Sequence, residues 1–263
     1  MDVYRLFKLM SDRSSHNKRI AKNTLFLYLR MGLVLVVSLF STRVVLQALD
    51  IEDYGINNVV SGFVTMFAFL NTSMSNGVQR FYNFSLGRKN GYSIKDVYNT
   101  ALQIQAILAV TLLVPLETFG MWYIHTQMVI PIDRFAAAQW VFQFSVLSLV
   151  LLVLQIPYSA AIMAYEKMDY YAYLSIFDVL AKLGIAYIIK YTTFDKLILY
   201  GALNMLVSLI CFFLYYGYAK SHFQDLKSDF IIRKQLFKPM LYFSGWNGFG
   251  SFAYMIKSQR SEE

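Results

Sequence analysis

Six stretches of roughly twenty mostly apolar residues punctuate this chain, and that length is what an α-helix needs to cross the ~30 Å of hydrocarbon in a bilayer. They fall at Thr24–Leu46, Asn57–Val78, Thr100–Trp122, Ala138–Met163, Ala172–Lys190 and Leu197–Tyr218. A weaker seventh runs from Lys238 to Ile256, where Gly245, Gly248 and Gly250 dilute the apolar character. A composition of 57% hydrophobic and 15% charged residues lies outside the range of soluble globular domains. The expected fold class is all-α: a polytopic membrane protein made of one six-helix transmembrane bundle and the start of a seventh helix.

Lysine and arginine set the expected orientation, because basic residues in short loops stay on the cytoplasmic side. Arg5, Lys8, Arg13, Lys18, Arg19 and Lys22 precede the first span, and Arg80, Arg88, Lys89 and Lys95 follow the second. Lys167 follows the fourth, and Lys220, Lys227, Arg233, Lys234 and Lys238 follow the sixth. The opposite side receives Asp50, Glu52 and Asp53, then Glu117, Asp133 and Arg134, then Asp195 with Lys196. The N-terminus is therefore expected in the cytoplasm, as an uncleaved leader suited either to a short interfacial helix or to a solvated basic tail. Topology and contact with anionic headgroups account for the net charge of +8, so no nucleic-acid partner is required.

Several chemistries are absent from the pattern. Cys211 is the sole cysteine, read as packing, and His16, His125 and His222 stand at no metal-ligand spacing. Neither a glycine-rich phosphate loop nor a nucleophile elbow is present, so no cofactor, metal or catalytic residue is assigned. The acidic turn "DIEDYG" occupies the place where multispanning glycosyltransferases hold catalytic carboxylates. Only about ten residues separate Leu46 from Asn57, however, and a turn so short reverses a helical hairpin, with Asp50 to Asp53 complementing a helix start.

Charges inside the spans are the candidate functional groups. Arg43 lies near the outer end of the first span, within snorkelling reach of the interface. Arg30 is either an ordinary flank, if the helix begins near Met31, or a guanidinium deep enough to need protein, water or an anion beside it. In the fifth span Asp178 and Lys182 stand four residues apart and so share a helix face. They form either a neutralised structural bridge or the wall of an aqueous cavity, where Lys182 meets an anionic substrate and Asp178 carries a coupling proton or sodium ion. The second span is too polar for a lipid-facing helix, with Asn57, Asn58, Ser61, Thr65, Asn71, Thr72, Ser73, Ser75 and Asn76. Gln103, Gln105, Gln143 and Gln155 add amides in spans three and four, some of which serve helix contacts. The cavity candidates are thus Arg30, Arg43, Lys182, Asn71 and Gln143, with Asp178 as the ion-coupling candidate. Pro157 marks a kink or the end of the fourth helix.

The stretch "STRVVLQALDIEDYGINNVVSGFVTMFAFLNTSMSNGVQRFYNFSLGRKN" resembles the opening of Wzx-type polysaccharide flippases of the multidrug/oligosaccharidyl-lipid/polysaccharide (MOP) exporter superfamily. The shared features are an arginine near the end of the first helix, an L-G-x-x-x-Y-G-like turn, a polar second helix and a Q-R-F segment. Here the turn reads "LDIEDYG", with Asp50 where glycine is usual, and "YFSGWNGFGSFAYMIKSQ" is similar to the start of that family's seventh helix. The resemblance implies a MATE-like transporter of two facing six-helix bundles in the bacterial inner membrane. Its partners would be a lipid-linked oligosaccharide for lipopolysaccharide or capsule assembly, the membrane lipids, and a proton or sodium ion. It divides the chain into a cytoplasmic basic segment (1–23), the six-helix bundle (24–218), a cytoplasmic loop (219–237) and the start of a second bundle (238–263). Because "KSQRSEE" would put Lys257 and Arg260 on the outer side, the sequence reads as a truncated first half. The alternatives are a multidrug exporter of the same fold, a membrane glycosyltransferase or a non-functional fragment.

The topology is open to direct test. Reporter fusions after Arg88 and Lys234 should be cytoplasmic, and fusions at Asp53 and Asp133 external; a cytoplasmic Asp133 would refute the six-span arrangement.

Overall fold

The computed structural model describes residues 3–87, 91–223 and 234–260. The basic flanks Arg88, Lys89, Lys227 and Arg233 lie outside them, as do residues 224–233 of the expected cytoplasmic loop. Among the described residues every regular element is helical: α1 (Val3–Thr65), α2 (Ala68–Leu86), α3 (Ile94–Pro115), a π-helical turn (Leu116–Gly120), α4 (Met121–Thr126), a 3₁₀ turn (Ile132–Arg134), α5 (Phe135–Ala164), α6 (Met168–Lys190), α7 (Lys196–His222) and α8 (Lys234–Arg260). Helices alone suit a chain in lipid, since each satisfies its backbone groups internally.

α1 is two helices joined at one residue, Asp50, whose φ of 65° and ψ of 167° lie outside the helical region. Ahead of it Val45, Ala48 and Leu49 pack with Ile185 and Ile189 near the end of α6. Beyond it Ser61 meets Ser145 of α5 at 3.1 Å, and the Tyr82 hydroxyl of α2 donates to the Pro157 carbonyl at 3.3 Å. The chain therefore runs up beside α6 and down beside α5, reversing at Asp50. The ten-residue turn expected between Leu46 and Asn57 shrinks to a single residue, because helix-forming side chains continue on both sides and one left-handed φ supplies the bend. α5 continues through Pro157 to Ala164, so that proline does not end it.

Among the described residues, five helical segments are long and apolar enough to cross a membrane: Asn23–Gly62, Ile94–Thr126, Ile132–Ala164, Met168–Lys190 and Lys196–His222. α2 is not one of them. It completes the crossing that begins after Asp50, and its polar residues meet other helices. Ser73 Oγ donates to the Ser244 carbonyl of α8 at 2.8 Å. A Cβ on Gly77 would collide with the Ser244 hydroxyl and stand 3.2 Å from its Cβ, so glycine is what lets this side chain seat between the two helices. The Arg80 guanidinium covers the Phe243 ring at 4.1 Å, and Leu236 and Met240 are fully buried with Met74, Val78 and Tyr82. The seventh apolar stretch thus docks on the bundle through α2 and α3.

Two apolar cores pin the ends. Toward Asp50, Ile56, Val60 and Val64 pack with Leu116, Ile124, Val141 and Phe142. Toward the opposite end aromatic rings dominate: Tyr170 stacks on Tyr218 at 3.6 Å and Tyr165 on Phe223 at 4.2 Å. The first crossing leans on α6 with one face, and Leu29, Leu33, Val36, Leu39 and Phe40 stand exposed on the other, an apolar surface fit for hydrocarbon.

Asp50 holds a backbone conformation that glycine adopts without strain, and such strain costs roughly 1–3 kcal/mol. Asp50→Gly should raise the melting temperature of the purified protein in detergent, and Asp50→Val should lower it; equal melting of all three would show that the turn is unstrained.

Candidate functional site

Five crossings turn a polar stripe toward one cleft. α1 contributes Arg30, Val34, Ser38, Ser41 and Thr42 before Asp50, and Tyr54, Asn57, Asn58 and Ser61 after it. α5 adds Ser145, Ser148, Leu152 and Gln155; α6 adds Ser175, Asp178, Val179 and Lys182; α7 adds Tyr200, Asn204, Ser208, Cys211 and Tyr215. Spacings of three and four residues put each set on one face of its helix. The cleft comprises three adjoining cavities of about 240, 420 and 330 Å³, and Lys182 lines all three.

Lys182 Nζ lies 2.9 Å from Asp178 Oδ2, with the acid N-terminal to the base, which is the favourable order along a helix. The two side chains keep 44% and 31% of their surface open, so an ion entering the cleft can reach the ammonium. Asp178 Oδ1 faces the Cys211 thiol at 4.0 Å. Arg30 sits within a continuous helix, its guanidinium 4.6 Å over the Tyr171 ring, and its Nε is buried without a hydrogen-bond partner. An aromatic face offsets part of the cost of an arginine at such depth and leaves its other N–H groups free to donate. The charged residues that line these cavities are Arg30, Lys182 and Asp178.

The other sequence candidates lie elsewhere. Arg43 is exposed and Asn71 is half-buried, and neither lines these cavities. Gln143 donates to Glu117 Oε2 at 2.9 Å, on the side of α5 away from the cleft. Asn57, Ser61 and Gln155, noted for polarity alone, do face it. The sequence gives little sign of Asn204, Ser208 and Tyr200, because one amide and one hydroxyl in an apolar span look like ordinary helix contacts; their spacing of four, with Tyr200, is the available signal.

The Asp50 end is tied by an ion-pair cluster. Arg134 pairs through Nη2 with Asp53 and through Nη1 with Asp195 at 2.8 Å. Asp195 also caps α7, its Oδ1 accepting from the Leu197 and Ile198 N–H groups at 3.0 and 3.1 Å. Asp53, expected to complement a helix start, is instead buried against Arg134, so three turns of the chain converge on one guanidinium.

No family model matches the chain, and neither does any curated protein. Among solved structures it is similar to a MOP superfamily transporter from Pyrococcus furiosus Vc1 (DSM3638), for which reverse polarity of the binding pocket suggests a different function. The TM-score is 0.62 at 13% identity, with 89% of this chain and 53% of that one covered. The chain thus has the fold of a MOP superfamily transporter and spans about half of that protein's length.

Removing Arg134 leaves a buried carboxylate without its counter-charge. Arg134→Ala should cost about 2–4 kcal/mol of stability, read as a lower denaturation midpoint in detergent. Adding Asp53→Asn to it should recover most of the loss; no recovery would mean that packing, not charge, holds this end.

Proposed function

We propose that this chain is the first bundle of a transporter that moves a lipid-linked oligosaccharide across the cytoplasmic membrane for lipopolysaccharide or capsular polysaccharide assembly. The observation that carries the reading is the charge inventory of the cleft: two cations and one carboxylate, the carboxylate already engaged by Lys182. The surplus is positive, which suits a phosphate-linked substrate and disfavours an organic cation. The uncharged wall of Asn57, Ser61, Ser145, Ser148, Asn204 and Ser208 offers donors and acceptors to sugar hydroxyls. The MOP fold supports transport in general. The resemblance of "LDIEDYG" and "VQRFYNF" to Wzx-type flippases supports the glycan, the inner membrane and the cytoplasmic N-terminus.

In this reading Lys182 exchanges between two anions. Asp178 holds it while the cleft is empty, and the diphosphate of the lipid carrier displaces Asp178 on binding, with Arg30 donating from the next helix. The glycan class and the anion site are the parts at stake. A catalytic role for the acidic turn is disfavoured, because Asp53 is held by Arg134.

Within the complete transporter, Lys182→Gln should lower surface polysaccharide by about tenfold or more at unchanged membrane abundance, since the charge-assisted contact is lost. Lys182→Arg should keep part of the activity, because charge survives while geometry changes. If Asp178→Asn combined with Lys182→Gln exports as the wild type does, the pair is a structural bridge and the substrate site lies elsewhere.

A further inference from the structure

Glu117 is a carboxylate on a spanning helix that the cleft does not use. It lies in the π-helical turn Leu116–Gly120, within the helical run from Ile94 to Thr126. Pro115, which has no N–H to give, immediately precedes this widened turn, and such turns recur at functional positions in helices. Glu117 is half-buried and lies five residues inside Trp122, about 7 Å along the axis. Its polar partner is the Gln143 amide of α5, Nε2 to Oε2 at 2.9 Å, and the same nitrogen lies 3.8 Å from Met121 Sδ.

The contact belongs to a seam. Residues 117, 121 and 125 share one face of the third crossing, and 139 and 143 share one face of α5. Gln139 Nε2 meets His125 Nε2 at 3.0 Å, and His125 Nδ1 lies 2.7 Å from the Met121 carbonyl. His125 is exposed at the Asp50 end of the seam, while Glu117 lies two turns deeper. Among the described residues no lysine or arginine pairs with Glu117. α5 carries no charged side chain over Phe135–Ala164. The part of α1 that meets Leu116 and Ile124 through Ile56, Val60 and Val64 carries no titratable group from 56 to 65. The third crossing itself supplies Tyr123 and His125 on the Asp50 side of Glu117, and Lys95, Asp96 and Tyr98 at its far end.

The partner decides what each membrane carboxylate can do. Lys182 gives Asp178 a cation at 2.9 Å. An amide carries no charge: Gln143 donates N–H to a carboxylate and, turned over, accepts O–H from a carboxylic acid through its oxygen. Glu117 can therefore change charge without losing its partner.

We propose that Glu117 is a reversible proton-binding site, loaded from the Asp50 end past His125 and separate from the cleft. One proton passes from water to the carboxylate, which becomes the neutral acid; release is the reverse. That this proton is the coupling ion rests on the transporter reading. Protonation itself does not, and the test reads protonation alone.

The purified chain in lipid vesicles is treated with dicyclohexylcarbodiimide, which adds to protonated carboxyl groups in apolar settings, and the adduct is located by mass spectrometry. Glu117 should be modified and Asp178 not, with the yield falling about tenfold for each pH unit above its midpoint and unchanged by sodium. Gln143→Lys supplies a cation and should suppress the adduct at the same pH; the wild-type pH and sodium series stands without that variant. An adduct on Asp178 with none on Glu117 would overturn the proposal. Protection of Glu117 by sodium would also overturn it, making the site a sodium site.

Discussion

A charge carried into a bilayer on a helix needs an opposite charge, a hydrogen-bonding partner or water beside it, and the interior of this bundle is arranged around that need. Isolated charges at such depth cost a few kcal/mol even on lenient scales. The chain meets the cost differently at each place. Lys182 takes Asp178 from its own helix, Arg30 covers the face of Tyr171, and Glu117 rests against an amide. The character of each partner fixes the chemistry left over: paired charges hold position, the guanidinium over a ring keeps free donors, and the carboxylate beside an amide keeps a neutral partner.

The same need explains why a crossing that hydropathy does not complete is nonetheless part of the bundle. Asn57 and Ser61 turn toward the cleft, and Ser73 and Gly77 turn toward α8, so the polarity of the second crossing is spent inside protein. Small and hydroxylated residues let helices approach where no hydrophobic effect drives them together. A leucine-rich second helix would have been easier to recognise and would have sealed the cleft.

Much of this was legible in the residues. Length and apolarity located the crossings, and the four-residue spacing of Asp178 and Lys182 put both on one face, where the structure places them 2.9 Å apart. The acidic turn between Leu46 and Asn57 marked the reversal, though not that Asp50 alone would supply it. Contacts between distant segments were hidden. Arg134 looked like a loop charge because nothing local shows that three turns converge on it. Gln143 read as a cavity residue because amides on spans three and four carry no sign of which face they occupy; a rotation of about 100° per residue decides that, and packing sets its origin.

α5 is where the two polar systems meet. Ser145, Ser148 and Leu152 face the cleft, and Gln139 and Gln143 lie roughly half a turn away, on the seam. The helix itself is uncharged, so it answers to both sides through contact alone: Ser61 holds Ser145 on one face and Glu117 holds Gln143 on the other. Any movement of α5 that opens the cleft to substrate also alters the partner of Glu117. A proton that binds more tightly in one position of α5 therefore favours that position, and by linkage a substrate that prefers it must tighten the proton by the same factor. On the proposed assignments the coupling between substrate and proton runs through one rod and two hydrogen bonds, and no charge has to pass from one side to the other.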